Sequence, residues 1–142
     1  MALGTRFGQG NAITFDLGGT QYETNIVGIR ESVSTSGGSE ITTADGVTHR
    51  TAQTGTVTQL AVTVAQDLTA AALWRYLRET TSTTGTITIT GTSSATEGTS
   101  NPAFVYSVLG WTPPPLEWSP NSEATPEAVF TVSGNPTIDT TP

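Results

Sequence analysis

The sequence predicts a mainly β domain: a β-sandwich or partly closed barrel with one flanking α-helix and a long arm. Three observations carry this. Charged residues are only 12% of the chain, which has 15 glycines and is rich in threonine and serine. Branched threonine fits a pleated surface, while glycine and serine punctuate it. Several short stretches alternate apolar and polar residues, the period of a half-buried strand, and a single stretch changes to helical period. The 142 residues suit one domain, 1–142, and a domain of that size buries about two-thirds of the surface its unfolded chain exposes.

Residues 1–10 read as a flexible entry segment. Ile13, Phe15 and Leu17 then alternate with Thr14 and Asp16 until Gly18-Gly19 interrupts, and Tyr22, Thr24 and Ile26 resume the alternation, which predicts a hairpin. Around Val27-Gly28-Ile29 the phase slips by one residue, as a β-bulge at Gly28 requires. Residues 32–40 have no sustained period, and the following stretch holds Asp45-Gly46, a tight-turn dipeptide. The segment 32–50 is therefore expected to be an extended arm, a hairpin or a flexible excursion; a connection of this length in a compact domain needs a job or is disordered.

Residues 56–64 predict a firm strand with Leu60, Val62 and Val64 on one face and Gln59, Ala61 and Thr63 on the other. The period then changes. Asp67 is a good N-cap, and Ala70, Leu73, Trp74 and Leu77 fall on one stripe, predicting a helix of roughly three turns over 68–78. Arg75 and Arg78 suit its negative C-terminal pole. The stripe makes Trp74 a core residue and leaves Tyr76 as a subunit-interface candidate.

Residues 86–90 alternate cleanly, 91–102 form a polar loop, and 103–109 are apolar on both faces, which predicts a strand that is central or buried on both sides. Residues 111–126 contain Pro113-Pro114-Pro115, Trp118 and Pro120. Such a segment cannot enter a sheet interior; it reads as an ordered crossover whose Trp111 and Trp118 plug the end of the sandwich, in preference to a polyproline ligand for another protein. Residues 128–132 form the last strand, and Gly134-Asn135-Pro136 turns the chain into a tail, 137–142.

Composition bounds the chemistry. The net charge is −7, lysine is absent, and five arginines are present. A basic patch for nucleic acid is not available from so few cations, and a Walker-type phosphate loop lacks its lysine. Absence of cysteine excludes disulfides, thiolate catalysis and Cys-type metal sites. Gly8-Gln9-Gly10 lacks the third glycine of a dinucleotide fingerprint and has no strand before it. The single histidine, His49, could formally join a serine and Asp45 or Asp67, but no nucleophile elbow accompanies it, and an exposed loop histidine is expected. Glu117, Glu123 and Glu127 read as a solvated acidic rim and not as a glycosidase pair. No cofactor, metal or enzymatic activity is expected. The N-terminus lacks a signal-peptide pattern and no apolar run approaches the roughly 20 residues of a membrane span, so cytoplasmic synthesis without a membrane partner is expected.

Taken in order, the elements are strand, strand, long arm, strand, helix, strand, polar loop, apolar strand, Pro-rich crossover and last strand. This order resembles the major tail (tail tube) proteins of long, non-contractile phage tails. The resemblance rests on residues 56–67 leading into the helix, on Asn101-Pro102-Ala103-Phe104-Val105-Tyr106, and on residues 128–136. It implies a virion protein made in a bacterial cytoplasm that forms hexameric rings, stacked around a channel for DNA and the tape measure protein, with a tail terminator as a further partner. DNA would pass without specific binding. The arm would then contact another subunit, making Ile41, Thr43, Val47 and Arg50 interface candidates beside Tyr76. An acidic channel lining would let DNA slide without sticking, with Asp16, Glu23, Glu97 and Glu127 as candidates.

Two other classes share the composition. A capsid decoration or fibre-type β-domain would more often trimerise and would not need the arm. A carbohydrate-binding sandwich would use Trp111, Trp118 and Tyr106 to stack on sugars.

Overall fold

The computed structural model describes residues 7, 13–80, 84–92, 98, 101–120 and 122–141. Among these residues, ten strands, one α-helix and a short 3-10 turn follow one another as β1 (Thr14–Leu17), β2 (Thr20–Gln21), the 3-10 turn (Glu23–Asn25), β3 (Ile26–Ser36), β4 (Glu40–Thr42), β5 (Thr48–Arg50), β6 (Thr54–Val64), α1 (Leu73–Glu79), β7 (Gly85–Thr90), β8 (Ala103–Thr112), β9 (Glu127–Val132) and β10 (Thr137–Asp139). The fold is mainly β, as expected, and every strand pairing is antiparallel.

The main sheet runs β2-β1-β7-β8-β9-β6-β3, with β10 beside β8. Its inner face carries Phe15 and Leu17 from β1, Ile87 and Ile89 from β7, Tyr106, Val108 and Trp111 from β8, Phe130 and Val132 from β9, and Leu60, Val62 and Val64 from β6. All belong to one buried cluster with Leu73, Trp74 and Leu77 of α1. The sheet curls enough for Tyr106 on β8 to donate a 2.6 Å hydrogen bond to Glu31 on β3. Its terminal strands, β2 and β3, do not pair with each other, so the barrel is not closed. The outer face keeps Thr86, Ser107, Gln59 and Thr131 exposed, which accounts for much of the threonine-rich alternation.

Several local expectations are corrected. Gly18 and Gly19 make the tight turn, both at positive φ (61° and 93°), but β2 lasts only two residues and Thr24 lies in the 3-10 turn. Tyr22 N–H bonds Phe15 O across the hairpin, and Asn25 N–H bonds Tyr22 O to close the 3-10 turn. The bulge does fall at Val27-Gly28, where the β3–β6 register shifts.

The helix has seven residues instead of three turns, and Asp67 does not cap it. The Asp67 carboxylate accepts the Thr69 amide at 2.9 Å, a local turn that competes with helix. The first helical amide, Leu73, is instead satisfied by Asn25 Oδ1 at 3.3 Å. Ala70 is exposed, whereas the Leu73, Trp74 and Leu77 stripe is buried as expected.

Strand β8 is central in the sheet, as expected, though its outer face is not buried, and it continues three residues past Leu109. Leu109 (56% exposed) faces outward in step with Ser107, and the β8–β9 register shift between Val108 and Gly110 returns Trp111 to the interior. Trp111 Nε1 donates to Leu77 O at 3.1 Å. Of the two expected plugs, Trp111 therefore serves and Trp118, 84% exposed, does not. The segment 137–142 is not simply a tail: Ser133-Gly134-Asn135-Pro136 interrupts a strand line that resumes as β10 on β8, and Ser133 N–H bonds Ser107 O across the break.

Candidate assembly surface

The most conspicuous feature outside the core is the ribbon joining β3 to β6. Every residue from 33 to 56 is exposed, yet the ribbon is hydrogen-bonded throughout. Ser36 stands opposite Thr54 and Glu40 opposite Arg50, so residues 37–39 span the gap to 51–53 without net slip. Gly37 and Gly38 sit at φ 86° and 76°, a conformation side chains avoid. A Cβ on Gly37 would lie 1.9 Å from Ala52 O. These two glycines set the bend between the proximal ribbon and the β4–β5 tip.

At the tip, Gly46 (φ 82°) completes the turn. The Asp45 carboxylate accepts Thr43 Oγ1–H at 2.5 Å and the Val47 amide at 3.0 Å. These bonds, the hydroxyl first, hold the Asp45 carboxyl below its ordinary range. In antiparallel register, residues 41, 43, 47 and 49 share one face and 40, 42, 48 and 50 the other. The structure thus brings the candidates Ile41, Thr43 and Val47 together, with Ile41 61% and Val47 48% exposed. Arg50 lies on the opposite face, paired with Glu40 at 2.8 Å in an exposed salt bridge.

Tyr76 is half-buried and sits in a row of rings. Its centroid is 6.1 Å from Tyr22 and 6.1 Å from Trp111, and Trp111 continues to Phe130 at 5.8 Å. The acidic candidates are scattered. Asp16 is half-buried on the outer face of β1 and its carboxylate caps the Gly18-Gly19 turn through the Gly19 amide at 2.8 Å. Glu23 lies in the 3-10 turn, where its Oε2 is buried without a hydrogen-bond partner. Glu127 is exposed at the start of β9, opposite Thr63. Glu97 lies outside the described residues.

The histidine sits on β5, and Thr43 Oγ1 lies between Asp45 Oδ1 and His49 Nε2 (3.4 Å). A nucleophile relay needs the imidazole between hydroxyl and carboxylate, so the order is wrong for one. The sugar-stacking trio is not assembled, because Tyr106 and Trp111 are buried while Trp118 is exposed. A cavity of about 310 Å³ opens between β3 and β7–β8, lined by Ile29, Glu31, Val57, Ile89, Phe104 and Tyr106. Burial, then the Glu31 carboxylate, push the Tyr106 phenol well above its ordinary pKa. Among the described residues no cluster of metal-binding side chains occurs and no helix is long and apolar enough to cross a membrane.

Sequence reasoning found the arm and missed a second exposed apolar feature. Leu116 (67% exposed) and Trp118 flank Glu117 in the crossover, and the Gln66 side-chain amide grips the Glu117 backbone at both ends, Nε2 to O at 3.1 Å and N to Oε1 at 2.9 Å. The sequence signal was Trp118 itself, in a proline-rich stretch where a plug of the sandwich end was expected. No protein-family model and no curated protein matches this chain.

Proposed function

We propose that this chain is a structural subunit and not an enzyme, which self-assembles into stacked, hexameric rings that form the tail tube of a long, non-contractile phage tail. The observation that carries this reading is the arm. A two-stranded ribbon is marginal alone in water, and the one from residue 33 to 56 is exposed along its length while presenting Ile41 and Val47 on one face. Covering that face by another subunit supplies the burial its own chain does not. The open sheet supports the same reading, since β3 forms a long edge whose outer side has no strand partner among the described residues, and a closed ring removes such edges. The surplus of acid over base suits a conduit through which DNA slides, with the tape measure protein and a tail terminator as further partners.

Negative-stain images of the purified protein at high concentration test the reading. Rings or hollow tubes are expected, and deleting residues 35–48 is expected to leave the domain folded and abolish them. Trimeric knobs would favour a decoration or fibre protein, and monomers at every concentration and salt would overturn assembly altogether.

A further inference from the structure

We infer that the cavity between β3 and β7–β8 is a binding site for a small alkylammonium cation. The inference goes beyond the assembly reading and stands without it. The cavity encloses about 310 Å³. At about 30 Å³ per non-hydrogen atom, the share of one water in the liquid, it takes a ligand of roughly ten such atoms. Pockets for small molecules combine an apolar wall with a few placed polar groups, and strand register builds both here. Phe104 and Tyr106 are two apart on β8 and so share one face, with Ile89 of β7 opposite Phe104. The Phe7 ring meets Phe104 at 70°, centroids 6.4 Å apart. Three rings in more than one orientation therefore border the cavity, and ring faces attract cations, substituted ammonium groups above all.

Charge selects the occupant. Glu31 stands at the rim, exposed, and its Oε2 accepts the Tyr106 hydroxyl at 2.6 Å. Among the described residues the ion pairs are Arg50–Glu40 and Arg75–Glu79, so none compensates Glu31. Arg30 borders the cavity too, but strand alternation sends its side chain to the other face of β3, where it lines a depression with Thr63 and Glu127. The chain has no lysine to offer. Because burial and then Glu31 hold the Tyr106 phenol protonated far above neutral pH, it stays a donor to Glu31 and brings no charge of its own. A lone carboxylate beside aromatic rings opposes an anion and gives nothing to a neutral hydrocarbon. It suits a cation that is apolar on its outside, which is what an alkylammonium is.

Choline is the probe, with its uncharged tert-butyl analogue, in which carbon replaces the nitrogen, as the control of equal shape. Amide NMR titration of the full-length, unmodified protein is expected to show saturable choline binding in the millimolar range or tighter. The shifts should centre on Glu31, Ile89, Phe104 and Tyr106, and the analogue should bind at least tenfold more weakly. Glu31→Gln keeps an oxygen for the Tyr106 hydroxyl and removes the charge; it is expected to weaken choline at least tenfold and to leave the analogue unchanged. Phe104→Leu keeps an apolar wall, removes one ring and is expected to weaken choline several-fold. The comparison of choline with its analogue on the unmodified protein decides the matter even if a variant fails to fold. No choline binding at millimolar concentration, equal binding of the two compounds, shifts centred elsewhere, or a folded Glu31→Gln variant of full choline affinity overturns the proposal, whether or not the protein forms tubes.

Discussion

Asn135 stands in for a missing strand residue opposite Val57. Its Oδ1 accepts the Val57 amide at 2.9 Å and its Nδ2 donates to Gly55 O at 3.3 Å. Pairing of β6 with β9 stops at Gln59–Thr131, and this one side-chain amide extends it by imitating a peptide group at the base of the arm.

Replacing Asn135 by alanine leaves the amide of the buried Val57 without its acceptor, a loss of about 1–3 kcal/mol. Asn135→Asp keeps the acceptor and loses the donor, so the expected loss is smaller, about 1 kcal/mol. Urea unfolding of the three proteins checks the ranking; equal stabilities would remove Asn135 from this role.

The Tyr106–Glu31 bond ties β8 to β3 across the open sheet. Because the folded phenol titrates above its ordinary value of 10.0, its contribution to stability is fully present below pH 10 and is lost as the pH rises toward the folded pKa. Tyr22 is raised as well, chiefly by burial, and titrates in the same sense. Tyr106→Phe is expected to cost about 1–2 kcal/mol at pH 7 and to flatten, without abolishing, the alkaline decline in melting temperature.

Gly37 and Gly46 both have positive φ but differ in surroundings. Gly46→Ala meets open space and costs only local strain, about 1 kcal/mol. Gly37→Ala drives a Cβ into Ala52 O and must reshape the bend. Hydrogen exchange should show the Gly38 and Thr51 amides, which bond across the bend, losing protection in the second variant only, with core amides unchanged in both.

Acid should loosen the arm tip before the core. The Asp45 pKa is depressed below 3.8, first by the Thr43 hydroxyl, so the tip stabilisation is present above that value and fades as the pH falls through the folded pKa. The Val47 amide is expected to exchange faster in this range, and Asp45→Ala should show the fast exchange already at neutral pH. An unchanged rate in the variant would mean that the turn holds without the carboxylate.

The sequence by itself determined the strand-rich class, the bulge at Val27-Gly28, the inner face of β6 and the Asp45-Gly46 turn of the arm. Each is written in local period or in a glycine placed where the backbone needs positive φ or an extra residue. It also determined which residues of the helix face inward, because Leu73, Trp74 and Leu77 share a stripe whatever the helix length. Only the tertiary structure decided where that helix starts, since its first amide is satisfied by Asn25, 48 positions away, while the nearer Asp67 is engaged in its own turn. The same holds for Trp111, returned to the core by a bulge that depends on the register with β9, and for Asn135, which is useful only because β6 passes beside it. The exposure of Trp118 was equally hidden. Its neighbours are fixed by a glutamine amide 51 residues before Glu117, and such a contact between distant segments leaves no period for the sequence to display.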